Sequence, residues 1–90
     1  MRFVWDPKKA AGNVVKHGVS FEEAASVFFD PFAIDAADLD DPERTIVIGR
    51  SATSRVLFVV TIIFEADDIV RIISACKASA QQRRKYEETP

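Results

Sequence analysis

The residues best suited to chemistry in this chain are one histidine and several cations. His17 is the only histidine, and histidine is the residue type that titrates near neutral pH. Beside Lys16, it has the properties of a general acid or base acting on a phosphodiester. The alternative is structural, because a cation at the end of a helix favours the helix dipole.

Arg71 is a second candidate, since it interrupts the apolar, β-branched run that begins at Ile69. Apolar residues of both parities in that run predict an interior strand covered on both faces. A cation in such a strand either holds a phosphate or pairs with an acid, here one of the acids in 30–43 or 65–68.

Further cations adjoin these candidates, and as a set they can follow the phosphate backbone of RNA or DNA. Tyr86 and Trp5 would then offer rings on which bases stack. The alternative is a solvated helix face and a charged hairpin loop. The cations are Lys77, Arg50, Arg55, Arg83 and Arg84.

Charge is distributed unevenly along the chain. The net charge is −2, but segment 30–43 has six acids and no base. Segment 69–86 has five cations and no acid, and segment 44–55 has three arginines and no acid. Local patches of this kind decide whether a polyanion is attracted, so the net charge does not exclude RNA as a partner.

Length and composition predict one domain over 1–90, with 48% hydrophobic and 29% charged residues as in ordinary soluble proteins. The longest apolar run, Val56 to Phe64, is far shorter than the roughly 20 residues that span a bilayer. The N-terminus lacks the apolar segment of a signal peptide. A single cysteine, Cys76, fits a reducing compartment. We expect a cytoplasmic protein without a membrane partner.

Several kinds of site are excluded by residue type and spacing. The three glycines match no nucleotide-binding loop, and one histidine with one cysteine cannot form the usual zinc clusters. The acids after Asp38 lack the glycine and glutamate of a calcium loop. Cys76 has cations nearby but no evident general base, which favours a partly buried spacer. The sequence predicts no metal and no cofactor.

The elements that position these residues follow from caps and periodicity. Asp6-Pro7 predicts the start of a helix that Gly18 ends, and a capping box of Ser20 and Glu23 opens a second helix that ends at Asp30-Pro31. A capping box of Ser79 and Gln82 opens the last helix. Strands are predicted at 2–5, 32–34, 45–48, 56–64 and from 69, with an acidic turn at 35–43 and a hairpin loop at 49–54. The class is α+β: a small antiparallel sheet with two N-terminal helices and one C-terminal helix.

Several fragments in this order resemble BrnT-type toxins. They are Phe3-x-Trp-Asp6, Asn13-x-x-Lys-His-Gly-Val19, Phe21-x-Glu-Ala24, Val27-Phe-x-Asp-Pro31, Glu43-Arg44 and Arg71-Ile-Ile-Ser-Ala75 with Lys77-Ala78 and Tyr86. The resemblance implies a fold like the RelE ribonuclease toxins. It also implies a metal-independent endoribonuclease that blocks translation, neutralised by a BrnA-type antitoxin in a heterotetramer that contacts operator DNA only through the antitoxin.

On this resemblance, Lys16, His17, Arg71 and Lys77 match polar positions of the family. His17, Arg71 and Lys77 are the predicted catalytic residues, and the RNA-binding set is Lys16, Arg50, Arg55, Arg83 and Arg84. The family pattern has arginine where this chain has Cys76, and the turn at 64–68 is acidic instead of basic. The lost cation was removed for host tolerance, lost by decay, or replaced by other cations.

The alternative function is a non-catalytic module that binds the antitoxin as co-repressor of its own operon. A third possibility is a protein that binds single-stranded nucleic acid in general.

For the antitoxin, the predicted interface comprises apolar residues around the first two helices and the acidic loop 35–43. A partner segment there would be basic or would add a strand to an open sheet edge.

Overall fold

A computed structural model describes residues 1–88 of the chain. The strands are β1 (Arg2–Val4), β2 (Ile34–Ala37), β3 (Thr45–Arg50), β4 (Val56–Phe64) and β5 (Ile69–Lys77). The helices are α1 (Pro7–His17), α2 (Phe21–Ser26) and α3 (Ala80–Glu88), and single 3₁₀ turns cover Val27–Phe29 and Glu65–Asp67. No helix in this described part is long and apolar enough to cross a membrane.

The five strands form one sheet in the order β1-β5-β4-β3-β2. Strands β2 to β5 pair antiparallel, whereas β1 runs parallel to β5, with Arg2 opposite Ile69 and Val4 opposite Arg71. The predicted α+β class with three helices is therefore confirmed. The sheet is mixed and not purely antiparallel, because the chain leaves β1 through α1 and returns to its side only with the last strand.

The helix boundaries follow the predicted caps. The Asp6 carboxylate accepts a hydrogen bond from the backbone N–H of Lys8 at 2.8 Å, and Gly18 ends α1 with φ of 69°. Before α3, the Ser79 N–H donates to the Gln82 side chain at 2.8 Å, and the Gln82 N–H donates to Ser79 Oγ at 3.1 Å. These local interactions set the helix ends without help from the core.

The core lies mainly on one face of the sheet. Helices α1 and α2 cover that face, and the fully buried side chains there include Phe21, Leu57, Val59 and Ile72. Helix α3 packs on the opposite face, where Tyr86 joins a smaller cluster of Ile48 and Val56. The domain is thus a sheet between two unequal helical layers.

Strand β2 starts two residues later than predicted and occupies part of the predicted acidic turn. Asp30 ends the preceding turn, since its side chain accepts from the Phe32 N–H at 2.9 Å and its carbonyl from the Ala33 N–H at 3.1 Å. A Cβ at Gly49 would lie 2.8 Å from the Val27 side chain and 2.9 Å from Ala33. Glycine is therefore needed where β3 passes under this turn.

A β-bulge interrupts β5. Ser74 lies opposite Val60 and Ile72 opposite Thr61, so Ile73 is an extra residue on β5. Because of this extra residue, the alternation of β5 side chains between the two faces of the sheet shifts by one residue across the bulge. Arg71 lies opposite Ile62 and Lys77 opposite Leu57, which are five residues apart on β4 and so project from opposite faces.

The position of β5 between β1 and β4 confirms the predicted interior strand, but only one of its faces is well covered. Val70, Ile72 and Ala75 are buried under the N-terminal helices. The other face carries exposed Arg71 and half-buried Cys76. The expected burial on both faces is wrong, because α3 packs on β3 and not over the start of β5.

Asn13 joins α1 to β5 through its amide group. The Nδ2 atom donates to the carbonyls of Val19 and Ala75, both at 2.8 Å, and Oδ1 accepts from the Ala75 N–H at 3.2 Å. The side chain is buried, so each of these backbone groups depends on Asn13 for a partner.

We expect Asn13→Ala to lower the free energy of unfolding by about 3 kcal/mol, because it leaves buried backbone groups without partners. Urea denaturation of both proteins measures the difference. Val15→Ala is the control on the same helix; Val15 is 89% exposed, so its change should stay within about 0.5 kcal/mol. An Asn13→Ala protein as stable as the Val15→Ala protein would contradict this role.

Candidate functional site

A cationic cleft lies where β5 ends and α3 begins. It has a volume of about 300 Å³ and is lined by Ser54, Arg55, Val56, Lys77, Ala78 and Arg83. The Ala78 N–H donates to the Val56 carbonyl at 3.0 Å, which extends the pairing of β4 and β5 to the cleft just before α3 begins. Three of the predicted cations, from β5, α3 and the loop after β3, are thereby brought to one site.

Neither Lys16 nor His17 lines this cleft, but the chain directly after them contacts one of its arginines. The carbonyl of Gly18, the residue after His17, accepts a hydrogen bond from Arg55 Nη2 at 3.1 Å. The last turn of α1 is therefore held against an arginine of the cleft wall. His17 also closes α1 at its C-terminal end, so the structure is compatible with both readings of this residue.

Arg55 is held by Glu23, which the sequence did not identify as a site residue. Arg55 Nε donates to Glu23 Oε2 at 2.9 Å, and Nη2 donates to Oε1. Ser51 and Thr53 donate their hydroxyls to the same carboxylate at 2.7 and 2.6 Å. The hydrogen bonds from Arg55, Thr53 and Ser51 outweigh burial and lower the pKa of Glu23 to about 2.

This network changes the interpretation of two predicted residues. Ser20 and Glu23 match a capping box, and the Glu23 N–H does donate to Ser20 Oγ at 3.0 Å. The Glu23 carboxylate instead reaches the loop after β3. Arg55 is half-buried and bound in two directions, so its guanidinium shapes the cleft wall, and its contact with RNA stays a prediction.

Arg50 is likewise used within the fold. Its guanidinium lies 5.9 Å from the centre of the Tyr86 ring, and Nη1 donates to the Ser54 carbonyl at 3.0 Å. The Tyr86 hydroxyl donates to Asp30 at 2.6 Å, and the Arg50 N–H donates to the same carboxylate at 2.8 Å. Burial alone would raise the pKa of Asp30, but these hydrogen bonds lower it overall.

Tyr86 is only 8% exposed, so the expectation that it offers a ring for base stacking is wrong. The hydrogen bond to Asp30 and the packing against Ile48 and Val56 use both its polar and apolar parts. Trp5 is half-buried and packs edge-on against Phe21 at 6.0 Å.

Some cations in residues 1–88 have side chains without a hydrogen bond or ion pair: Lys16, Arg71, Lys77 and Arg84. The acid partner considered for Arg71 is thus not found in that range. Lys77 lines the cleft, whereas Arg84 does not. Arg83 does, with Nε 3.7 Å from the Glu87 carboxylate in an exposed, weak pair.

Arg71 lies apart from the cleft. Six residues of strand separate it from Lys77, about 20 Å in extended chain. The bulge also puts the two side chains on opposite faces of the sheet. Arg71 and Lys77 therefore do not contact the same phosphate.

Cys76 lies opposite Phe58, on the same face as Arg71. It is a half-buried, free cysteine, and burial raises the pKa of its thiol. A thiol that resists ionisation is a weak nucleophile, which agrees with the predicted spacer role.

Two carboxylates of the site, Glu23 and Asp30, were missed from sequence because each was assigned a local helix-end role. Their partners lie 20 to 56 residues away along the chain. A possible signal was the acid-free segment 44–55, whose arginines needed partners from elsewhere in the chain.

We expect the stability that Glu23 provides to be lost as pH falls from about 4.5 towards 2. Its folded pKa lies below the ordinary value of 4.5, so the folded state favours the carboxylate above that pH. Thermal unfolding across this range should show a loss of about 2 kcal/mol that Glu23→Gln largely lacks. Glu22→Gln, exposed on the same helix, is the control. Equal pH profiles for wild type and Glu23→Gln would contradict the network.

Comparison with known proteins agrees with this fold. No curated protein matches the chain at a significant level. Among solved structures, the ribonuclease toxin BrnT of Brucella abortus superposes with a TM-score of 0.71 and 22% identity. The match covers 88% of this chain and 97% of that one, and at this identity it shows a shared fold.

The model of a family described as the ribonuclease toxin BrnT of type II toxin–antitoxin systems matches residues 5–82. Because that match spans most of the sequence, the chain belongs to the BrnT family of type II toxin–antitoxin ribonuclease toxins.

Proposed function

We propose that this chain is a toxin that cuts RNA without a metal ion and thereby blocks translation, and that a BrnA-type antitoxin neutralises it. Family membership supports the toxin role and implies an antitoxin partner. The observation that carries the cleavage proposal is the cleft that gathers Lys77, Arg83 and Arg55. We further propose that the two chains form a heterotetramer in the cytoplasm and reach operator DNA only through the antitoxin.

Such cleavage needs few groups from the protein. The 2′-hydroxyl of the RNA attacks the adjacent phosphorus, and the bond to the 5′-oxygen of the next nucleotide breaks. A base removes the proton of the attacking hydroxyl, and an acid protonates the leaving oxygen. Cations stabilise the negative charge that develops on the phosphate oxygens.

In this proposal, Lys77 and Arg83 hold the scissile phosphate because both line the cleft and no strong ion pair neutralises them. His17 transfers protons in this proposal, which is supported by the contact of the next residue, Gly18, with Arg55 of the cleft wall. Lys16 and Arg84 contact the flanking backbone, as does Arg71 on the other sheet face. Arg50 and Arg55 contribute to the positive potential while they hold the loop between β3 and β4 in place.

A non-catalytic module that binds the antitoxin is a second candidate, and residue 76 is the observation that favours it. The uncharged, half-buried Cys76 precedes Lys77 at the position where the family pattern has arginine. Its side chain lies on the Arg71 face of the sheet, so without that cation this face has less charge with which to hold RNA or stabilise a transition state. The antitoxin-binding surface would be retained.

We expect Lys77→Gln to reduce cleavage of a single-stranded RNA by about 10²-fold, because Lys77 faces the developing charge. It should also reduce the slope of log affinity against log salt by about 0.7. Arg84→Gln is the matched control: it removes one cation of α3 outside the cleft, so it should lower RNA affinity slightly and leave the cleavage step unchanged. Equal losses of cleavage in both variants would contradict a site at the cleft.

We expect Cys76→Arg to cleave RNA about 10²- to 10³-fold faster than the wild type, since it restores the cation that the family pattern has at this position, on the Arg71 face of the sheet. Cys76→Gln is the control, because glutamine, like arginine, has a long polar side chain but carries no charge. Purified proteins with and without antitoxin should be compared. Cleavage only by the arginine form would favour the binding module for this copy. No cleavage by either form, with antitoxin binding retained, would contradict the nuclease proposal.

A further inference from the structure

Strand β2 is an open edge of the sheet. It pairs with β3 on one side, and it is the last strand in the order. Edge strands expose backbone N–H and C=O groups that pair readily with another chain, and proteins commonly protect them with lysine, proline or a bulge. Strand β2 reads Ile34-Asp-Ala-Ala37: it is short and has one charge, the acidic Asp35, but no lysine, proline or bulge.

The hydrogen-bond pattern identifies which backbone groups face outward. The Asp38 N–H donates to the Arg44 carbonyl at 3.3 Å, and the Arg50 N–H points to the β2 side of the sheet, where Asp30 accepts it. Alternation along an antiparallel pair then assigns Ile34 and Ala36 to bonds with β3. The N–H and C=O groups of Asp35 and Ala37 therefore point away from the sheet.

An apolar cleft of about 240 Å³ lies beside this edge, under α3. Ile34 and Ala36 form its rim, and Ile46, Ile48 and Phe58 form its wall. Every second side chain of an added strand would point to the same face as Ile34 and Ala36. The cleft can thus receive an apolar side chain from such a strand.

The charges on the edge segment itself are negative, whereas α3 contributes Lys85 to the lining of the cleft. Segment 30–43 has six acids and no base, and the carboxylates of Asp35, Asp40 and Glu43 have no ion pair within residues 1–88. Leu39, between them, is 98% exposed. A second copy of this chain would bring two such acidic segments together, which like charge disfavours. A basic strand has the complementary charge.

We propose that the β2 edge is the docking site for an extended, basic segment of the antitoxin, which adds a sixth strand and places an apolar side chain in the cleft under α3. The inference rests on the proposed function only in taking an antitoxin as the partner. The docking surface includes neither of the cations proposed to hold the scissile phosphate, because Lys77 and Arg83 line a different cleft.

Ala37→Pro tests the backbone contact, because it removes one outward N–H and leaves the bonds of Ala36 to β3 intact. We expect at least a tenfold weaker Kd for the BrnA-type antitoxin by titration calorimetry. Ala37→Ser, which keeps the N–H, should bind like the wild type. Thermal unfolding of each free variant controls for folding. In the wild-type complex, hydrogen exchange at the Asp35 and Ala37 amides should slow.

The double variant Asp40→Lys with Glu43→Lys tests the charge. We expect about tenfold weaker binding of the antitoxin and a smaller dependence of affinity on salt. The matched control is Glu65→Lys with Asp67→Lys, which reverses two exposed acids in the turn before β5. Weaker binding by the control pair, with the Asp40 and Glu43 pair unaffected, would overturn the location.

Unchanged binding by Ala37→Pro, or unprotected Asp35 and Ala37 amides in the complex, would overturn strand addition. A dimer of the free chain that Ala37→Pro dissociates would assign the edge to a second copy instead. Growth arrest by the free chain separates this inference from the nuclease proposal. An inactive wild type that still binds the antitoxin through β2 contradicts only cleavage, whereas a wild type without antitoxin affinity contradicts both.

Discussion

The carboxylate of Glu23 is the interaction on which the rest of the site depends. It stands at the start of α2 and receives the guanidinium of Arg55 together with two hydroxyls from the loop after β3. Because Arg55 also donates to the carbonyl of Gly18, this one group joins both N-terminal helices to the loop between β3 and β4. Buried charges persist only with such partners, and here the pairing gives the cleft a rigid wall.

Asp30 has the corresponding role beneath α3. It accepts hydrogen bonds from the Tyr86 hydroxyl and from the Arg50 backbone, and so joins the C-terminal helix to the turn before β2. Together, Glu23 and Asp30 divide the arginines by function. Arg50 and Arg55 are used to hold elements together, whereas Lys77 lines the cleft without a hydrogen bond or ion pair in residues 1–88.

The cleft between β5 and α3 and the edge of the sheet at β2 have opposite charges. The cleft between β5 and α3 gathers cations, whereas β2 and the turn after it carry five of the six acids of segment 30–43. A net charge of −2 describes neither surface. This separation allows a polyanion and a basic partner segment to be attracted to different places on one small domain, since local potential governs association.

The sequence by itself determined the fold class, the helix ends and the long strands. Asp6-Pro7, Gly18 and the Ser79–Gln82 pair act on residues within one or two turns, so the pattern alone was enough. The family and the cationic character of the β5–α3 segment were also evident from residue order. Only the tertiary structure decided the parallel pairing of β1, the late start of β2 and the bulge at Ile73. These features, like the partners of Glu23, Asp30 and Asn13, depend on contacts between residues far apart in the chain. Local propensity contains no information about which distant donor will reach a given carboxylate.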